Sequence, residues 1–232
     1  MILDCLSHNT VAVYSFQQNI IQQLKVKLLE EGTELKKIKY HTDGCAEQYK
    51  NLKNFKNLAE HKTDFDVEAD WSFSATGHGK GPWDSLAGSA KREAALESLR
   101  RSSMNPIQTP YEFFEFVKEK FQKVQVEFIS EEKIETNEKE LLSERFKSAK
   151  TIKGTRGYHS FETISGNQTE LNVHQFSFSE DVKRVSITAS SGRGGVRGRG
   201  QLGRGQRGRG QRGRGQHGRV ASPRVEEEVS DP

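Results

Sequence analysis

A chain of 232 residues with a formal charge of +4 has room for one domain with tails or for two small domains. No apolar run approaches the ~18 residues of a membrane span, and the two cysteines, Cys5 and Cys45, have neither a CxxC partner nor a disulfide pattern. Membrane-spanning and disulfide-scaffold classes are thereby excluded, and a reducing compartment, nucleus or cytoplasm, is expected.

The opening "MILDCLSHNT" lacks the basic start and long apolar core of a signal peptide. "MILD" predicts the end of a strand. Asn9 and Thr10 are candidate caps for a helix with Val13, Phe16, Ile20, Leu24 and Leu28 on one face, ended by Gly32. Alternation at Ile38 and Tyr40 predicts a strand to Thr42. Ala46, Tyr49, Leu52, Phe55 and Leu58 then predict a helix from about Gly44 to Glu60. "DWSFSAT" alternates Trp71, Phe73 and Ala75 with polar residues and predicts another strand. A glycine-rich turn, "GHGKGPWDSLAG", leads into the helix "SAKREAALESLRR". Strand–helix alternation of this kind argues for α/β layering. Thr109 and Glu112 form a capping box with Pro110 at the first helical position. "VQVEFIS" predicts a strand, "NEKELLSERFKSAK" a helix with Leu141, Leu142 and Phe146 inward, and residues 157–179 two strands joined by a turn at Gly166-Asn167.

From about residue 190 the composition changes. Residues 191–219 hold nine arginines and no acid, interleaved with Gly and Gln, and the last thirteen residues are net acidic at −3. The body up to residue 190 therefore nets −2, and the basic excess sits in the tail. With few apolar side chains to bury, the tail is expected to be disordered. Its arginines, Arg193, Arg197, Arg199, Arg204, Arg207, Arg209, Arg212, Arg214 and Arg219, offer permanent charge and planar forks for phosphate.

Asp43 stands where a strand hands over to a helix, and Asp84 just past a glycine turn at the start of the next. Two carboxylates above strand ends suit Mg²⁺ or Mn²⁺ and phosphodiester chemistry; each also suits a plain helix cap. "GHGKG" is not a Walker loop, because Ser74 stands where that pattern needs its first glycine and Gly81 where it needs Ser or Thr. His78 and Lys80 remain candidates for a phosphate contact. His41, His61 and His78 lack zinc spacing with the cysteines. Lys50, Lys53 and Lys56 recur every three residues, either as a backbone-binding stripe or as a solvated helix face.

The pieces "DGCAEQYKN", "HGKG" followed by an Asp four residues after its Lys, "KR" in the next helix, and "AKTIKGTRGYHSFETISG" resemble a family of uncharacterised animal proteins. That family occurs in insects and cnidarians, is carried by bracoviruses, and is similar to remnants of transposable elements. The resemblance covers roughly residues 1–165. "WDSLAG" replaces the family's "CDGIGG", putting Ser85 and Ala87 where it has glycines. The arrangement also resembles the RNase H-like fold of DDE transposases and integrases, with Asp43 and Asp84 matching two of three acids. That resemblance implies that the first acid and two strands lie upstream of Met1, since Asp4 falls on the wrong strand. The tail resembles RGG-type RNA-binding tails, without their aromatics.

The expected architecture is an incomplete RNase H-like three-layer α/β domain over residues 1–104, a helix/strand extension over 105–189 and the Arg/Gly tail over 190–232. The expected function is non-catalytic, nonspecific binding of RNA or DNA. The alternatives are a metal-dependent DDE-type nuclease or transposase using Mg or Mn, if an upstream segment supplies the first acid, and a functionless fragment. No resident cofactor and no membrane partner are expected, and an unpaired sheet edge suggests self-association.

Overall fold

The computed structural model describes residues 2–3, 9–74, 81–101, 105–176 and 179–189. Every described element belongs to one compact unit within residues 1–191. Asp4, Cys5, Ala75, His78, Lys80 and the tail arginines lie outside the described residues.

The chain is a mixed α/β protein. A two-residue strand β1 (Ile2–Leu3) precedes the long helix α1 (Thr10–Glu30), whose cap Asn9 accepts hydrogen bonds from the Val11 and Ala12 N–H groups. Gly32, at φ +72°, ends α1: the Gly32 and Thr33 N–H groups donate back to the Leu29 and Leu28 carbonyls. Strand β2 (Lys37–Thr42), helix α2 (Leu52–Phe65) and strand β3 (Glu68–Phe73) follow as a right-sized β–α–β unit, and β2 and β3 pair in parallel. After α3 (Pro82–Arg100) and α4 (Pro110–Lys120) comes β4 (Phe128–Ile129), which pairs in parallel with β1 in a separate two-stranded sheet. Helices α5 (Glu131–Asn137) and α6 (Ser143–Lys147) are joined by a π-turn over Glu138–Leu142. Strands β5 (Ser160–Ile164), β6 (Asn167–His174) and β7 (Lys183–Ser186) then form an antiparallel meander. It docks on β3 to complete one five-stranded sheet in the order β2-β3-β5-β6-β7. The sheet thus draws on both sides of residue 104.

One face of that sheet is the core. Ala69, Trp71 and Phe73 of β3 meet Phe161 of β5 and Leu171 and Val173 of β6, under Phe55 and Leu58 of α2. Phe55 stacks on Phe161 with centroids 4.3 Å apart. A second cluster joins Val11, Ala12 and Tyr14 of α1 to Ile129, Ile134 and Leu142.

Several expected elements shift. The helix expected from Gly44 starts only at Leu52, because the Tyr49 and Lys50 N–H groups both turn back to the Cys45 carbonyl and Asn51 is the true cap. "VQVEFIS" yields only the two residues of β4. Leu141 points outward, because the π-turn rotates the helix face past it and buries Leu142 instead. Strand β3 is buried on both faces rather than on alternate residues, since it is an interior strand. Both outer strands carry cations, Lys37 and Lys39 on β2 and Lys183 and Arg184 on β7, which is the usual protection of an open edge.

Candidate functional site

The carboxyl ends of parallel strands are where α/β folds gather their chemistry, and β2 and β3 end side by side at Thr42 and Phe73. The Thr42 hydroxyl fixes this end: it accepts from the Trp71 indole N–H at 2.9 Å and donates to the Asp43 carbonyl at 3.0 Å. Asp43 is exposed. Its Oδ1 accepts the Cys45 N–H at 3.0 Å, closing an Asx turn at the strand exit. A Cβ on Gly44 would meet only the Lys50 side chain, at an ordinary 3.7 Å, so space does not require the glycine.

The turn after Asp43 is held by Asn51, the last residue of the "DGCAEQYKN" piece, together with Thr10. Asn51 caps α2 by accepting the Asn54 N–H at 3.0 Å, while its Nδ2 donates to Thr10 Oγ1 and to the Ala46 carbonyl, both at 2.8 Å. Thr10 Oγ1 in turn donates to the Gln48 carbonyl at 3.1 Å. Asn51 follows "QYK" inside an unbroken apolar spacing, so the physical signal for a helix start there was its own cap preference.

Asp84, exposed in the first turn of α3, accepts the Gly81 N–H at 2.9 Å as the N3 residue of that helix. Each aspartate therefore holds a local backbone donor. Among the described residues no hydrogen bond or ion pair joins Asp43 to Asp84, and no group of three or more His, Cys, Asp or Glu is placed to hold a metal ion.

The lysine stripe divides three ways. Lys50 lies over the Phe73 ring at 5.3 Å and Lys53 over the Phe146 ring at 5.1 Å. Lys56 is buried, bonded to Glu60 at 2.8 Å and to the Gln168 carbonyl at 3.2 Å, which ties α2 to β6. It is neither a solvated charge nor free to meet a phosphate. Burial also lowers the Lys50 pKa from its ordinary value.

Imidazoles gather at the same sheet end. His41 Nε2 lies 2.9 Å from Ser74 Oγ. His159 Nδ1 donates to the Phe73 carbonyl at 3.2 Å, and its ring stacks on Phe176. His174 Nδ1 donates to the Ser179 carbonyl at 3.1 Å. Since a carbonyl can only accept, both Nδ1 atoms carry protons. His61 is a core residue: its Nδ1 donates to the Val67 carbonyl at 2.6 Å and its Nε2 accepts from the Tyr40 hydroxyl at 2.9 Å. Burial holds its pKa below the ordinary value. No described helix is long and apolar enough to cross a membrane.

The chain belongs to the family described as a domain of unknown function (DUF8701), whose model matches residues 1–177. No curated protein and no solved structure matches it.

Proposed function

We propose that the chain is a non-catalytic, mobile-element-derived nucleic-acid-binding protein whose RNase H-like α/β body bears an arginine-rich arm that grips RNA or DNA without sequence preference. The observation that carries this reading is the run of nine arginines without an acid over residues 191–219, against a body that nets −2. Arginine forks match phosphate oxygens, and intervening glycines leave the backbone unobstructed. The absence of Phe and Tyr from that run removes the stacking that favours particular bases. The local bonds of Asp43 to Cys45 and of Asp84 to Gly81 support a structural part for both acids.

Fluorescence anisotropy with a single-stranded and a duplex oligonucleotide, at two salt concentrations, tests the reading. If all nine arginines engage single strands, log K falls against log salt with a slope of roughly −6. Replacing the nine by Gln in the full chain is expected to abolish that slope. Unchanged affinity in the replaced chain refutes the proposal.

One observation favours a second reading, a metal-dependent DDE-type nuclease using Mg²⁺ or Mn²⁺. Asp43 is exposed at the carboxyl end of β2, the place such chemistry requires of a strand-borne acid. Cleavage of DNA by the purified chain with Mn²⁺, lost on Asp43→Asn, would establish it over the first.

A further inference from the structure

The face of the five-stranded sheet turned away from α2 is polar throughout its interior. One cross-strand row reads Lys39, Asp70, Glu162, Asn172, Arg184, and the next reads His41, Ser72, Ser160, His174. The ion pair Lys37–Asp70 at 2.9 Å and the contact of His41 with Ser74 place these side chains on one face. The outer members of the rows, Lys39, His41 and Arg184, are exposed, while the inner ones are not: Asp70 is 6% exposed, Ser72 3%, Ser160 1% and His174 8%. Buried polar atoms are nearly always paired. Here Asp70 Oδ1, Ser72 Oγ, Ser160 Oγ and Asn172 Oδ1 are buried without a hydrogen-bond partner, all within two adjacent rows of three neighbouring strands. His174 Nε2 stands 3.3 Å from Glu162 Oε2 without hydrogen-bond geometry.

The chemistry of the unpaired set is one-sided. Asp70 and Glu162 are directly opposed across β3 and β5, a pairing of like charges that a sheet ordinarily avoids. Lys37 engages only Oδ2 of Asp70. The remaining Asp70 oxygen and the Asn172 oxygen can only accept, and the two serines stand between His41 and His174 in the second row. A cluster with unmet acceptors, two facing carboxylates and two small hydroxyl residues calls for a compact, donor-rich cation. Glu162 is one-third exposed and so the most accessible of the carboxylates. Among the described residues no group of three or more His, Cys, Asp or Glu is placed to hold a metal ion.

We infer that this polar cluster binds an ammonium or guanidinium group, with Asp70, Glu162 and Asn172 accepting its N–H donors and the Ser72 and Ser160 hydroxyls completing the shell. The group belongs either to a free polyamine or to a basic side chain of a peptide. Two probes separate these sources: spermidine, and arginine blocked as its N-acetyl amide. Each is titrated into the isotope-labelled full chain and read by NMR. Saturable shifts at the Asp70, Ser72, Ser160 and Glu162 amides are expected with at least one probe. Response to spermidine alone assigns the site to polyamines, and response to blocked arginine assigns it to a peptide side chain. Asp70→Asn is expected to weaken binding roughly tenfold. Glu162→Gln, at a partly exposed position that tolerates the change, should weaken it as well and guards against misfolding of the first variant. No saturable shift with either probe, or affinities within about twofold of the parent in both variants, overturns the inference.

Discussion

Arg145 on α6 reaches across to Asp64 on α2, with Nη1 and Nη2 each 2.7 Å from a different carboxylate oxygen. The two side chains retain only 14% and 11% of their exposure. Nη1 also donates to Asn57 Oδ1 at 3.2 Å, and the Tyr14 hydroxyl donates to Asp64 Oδ2 at 3.1 Å. Burial, then the Asp64 charge, pushes the Tyr14 pKa up to about 12, so Tyr14 stays a donor at any ordinary pH. Arg145→Ala strands Asp64 with that hydroxyl as its remaining side-chain partner. Breaking one side of a buried pair costs about 3–5 kcal/mol; the retained Tyr14 bond argues for the lower end, about 3 kcal/mol. For a unit of this size that is a fall of roughly 6–12 °C in Tm. The double variant Asp64→Asn with Arg145→Met removes both charges and keeps the volume. It should lose about 1 kcal/mol or less, because desolvation of the pair offsets most of its attraction. Urea titrations of the parent and the two variants give the numbers. A single variant within about 1 kcal/mol of the parent, or a double variant no better than the single, would refute the reasoning.

The remaining expectations are smaller. His61 is neutral and fully bonded in the fold, with a pKa below its ordinary 6.5. The unfolded chain therefore binds the extra proton first, and stability is lost as pH falls from about 6.5 toward the folded value. Between about pH 7.5 and about pH 5.5 the urea midpoint of the parent should drop further than that of His61→Phe; equal drops would show that His61 is not the titrating group. Gly32→Ala forces a side chain into φ +72° and should cost about 1 kcal/mol, whereas Gly44→Ala should be within about 0.5 kcal/mol of the parent. A reversed order in thermal melts would contradict both assignments. Thr42→Val leaves the buried Trp71 indole N–H without its acceptor and should cost about 1–3 kcal/mol, checked by the same melts with Trp71 fluorescence as the probe.

Local signals were read correctly wherever one residue's chemistry settles the backbone. Asn9, the Thr109–Glu112 box, Gly32 and the Gly166 turn stand where their caps and positive φ values require. The reading strayed where a long-range partner decides. Ala46 and Tyr49 continue a helical spacing, yet Asn51 is anchored by Thr10 from 41 residues away, and the helix begins there. Lys56 looks solvated by its spacing; the Gln168 carbonyl, 112 residues on, takes it into the interior. No window along the chain contains either partner. Within the candidate site, the turn at Asp43 and the cap at Asp84 were legible from residue type, whereas the gathering of His41, His159 and His174 at one sheet end depends on the β3–β5 pairing.

The same pairing explains why β3 misleads. "EADWSF" alternates as a strand with one wet face would, and the natural inference is that Asp70 and Ser72 meet water. An edge strand would have let them. Once the meander of β5, β6 and β7 docks on β3, the polar alternates of three strands fall into register and lose water together. The cost of that loss scales with unmet hydrogen bonds, on the order of 1–3 kcal/mol for each buried atom left unpaired. Four such oxygens would strain a unit whose whole stability is on the order of 10 kcal/mol. An ordered water or a bound donor must therefore supply what the chain does not. A water can satisfy each serine alone; Lys37 already pairs with Asp70 Oδ2, and a donor-rich cation would answer the unmet Asp70 Oδ1 and Asn172 oxygens together.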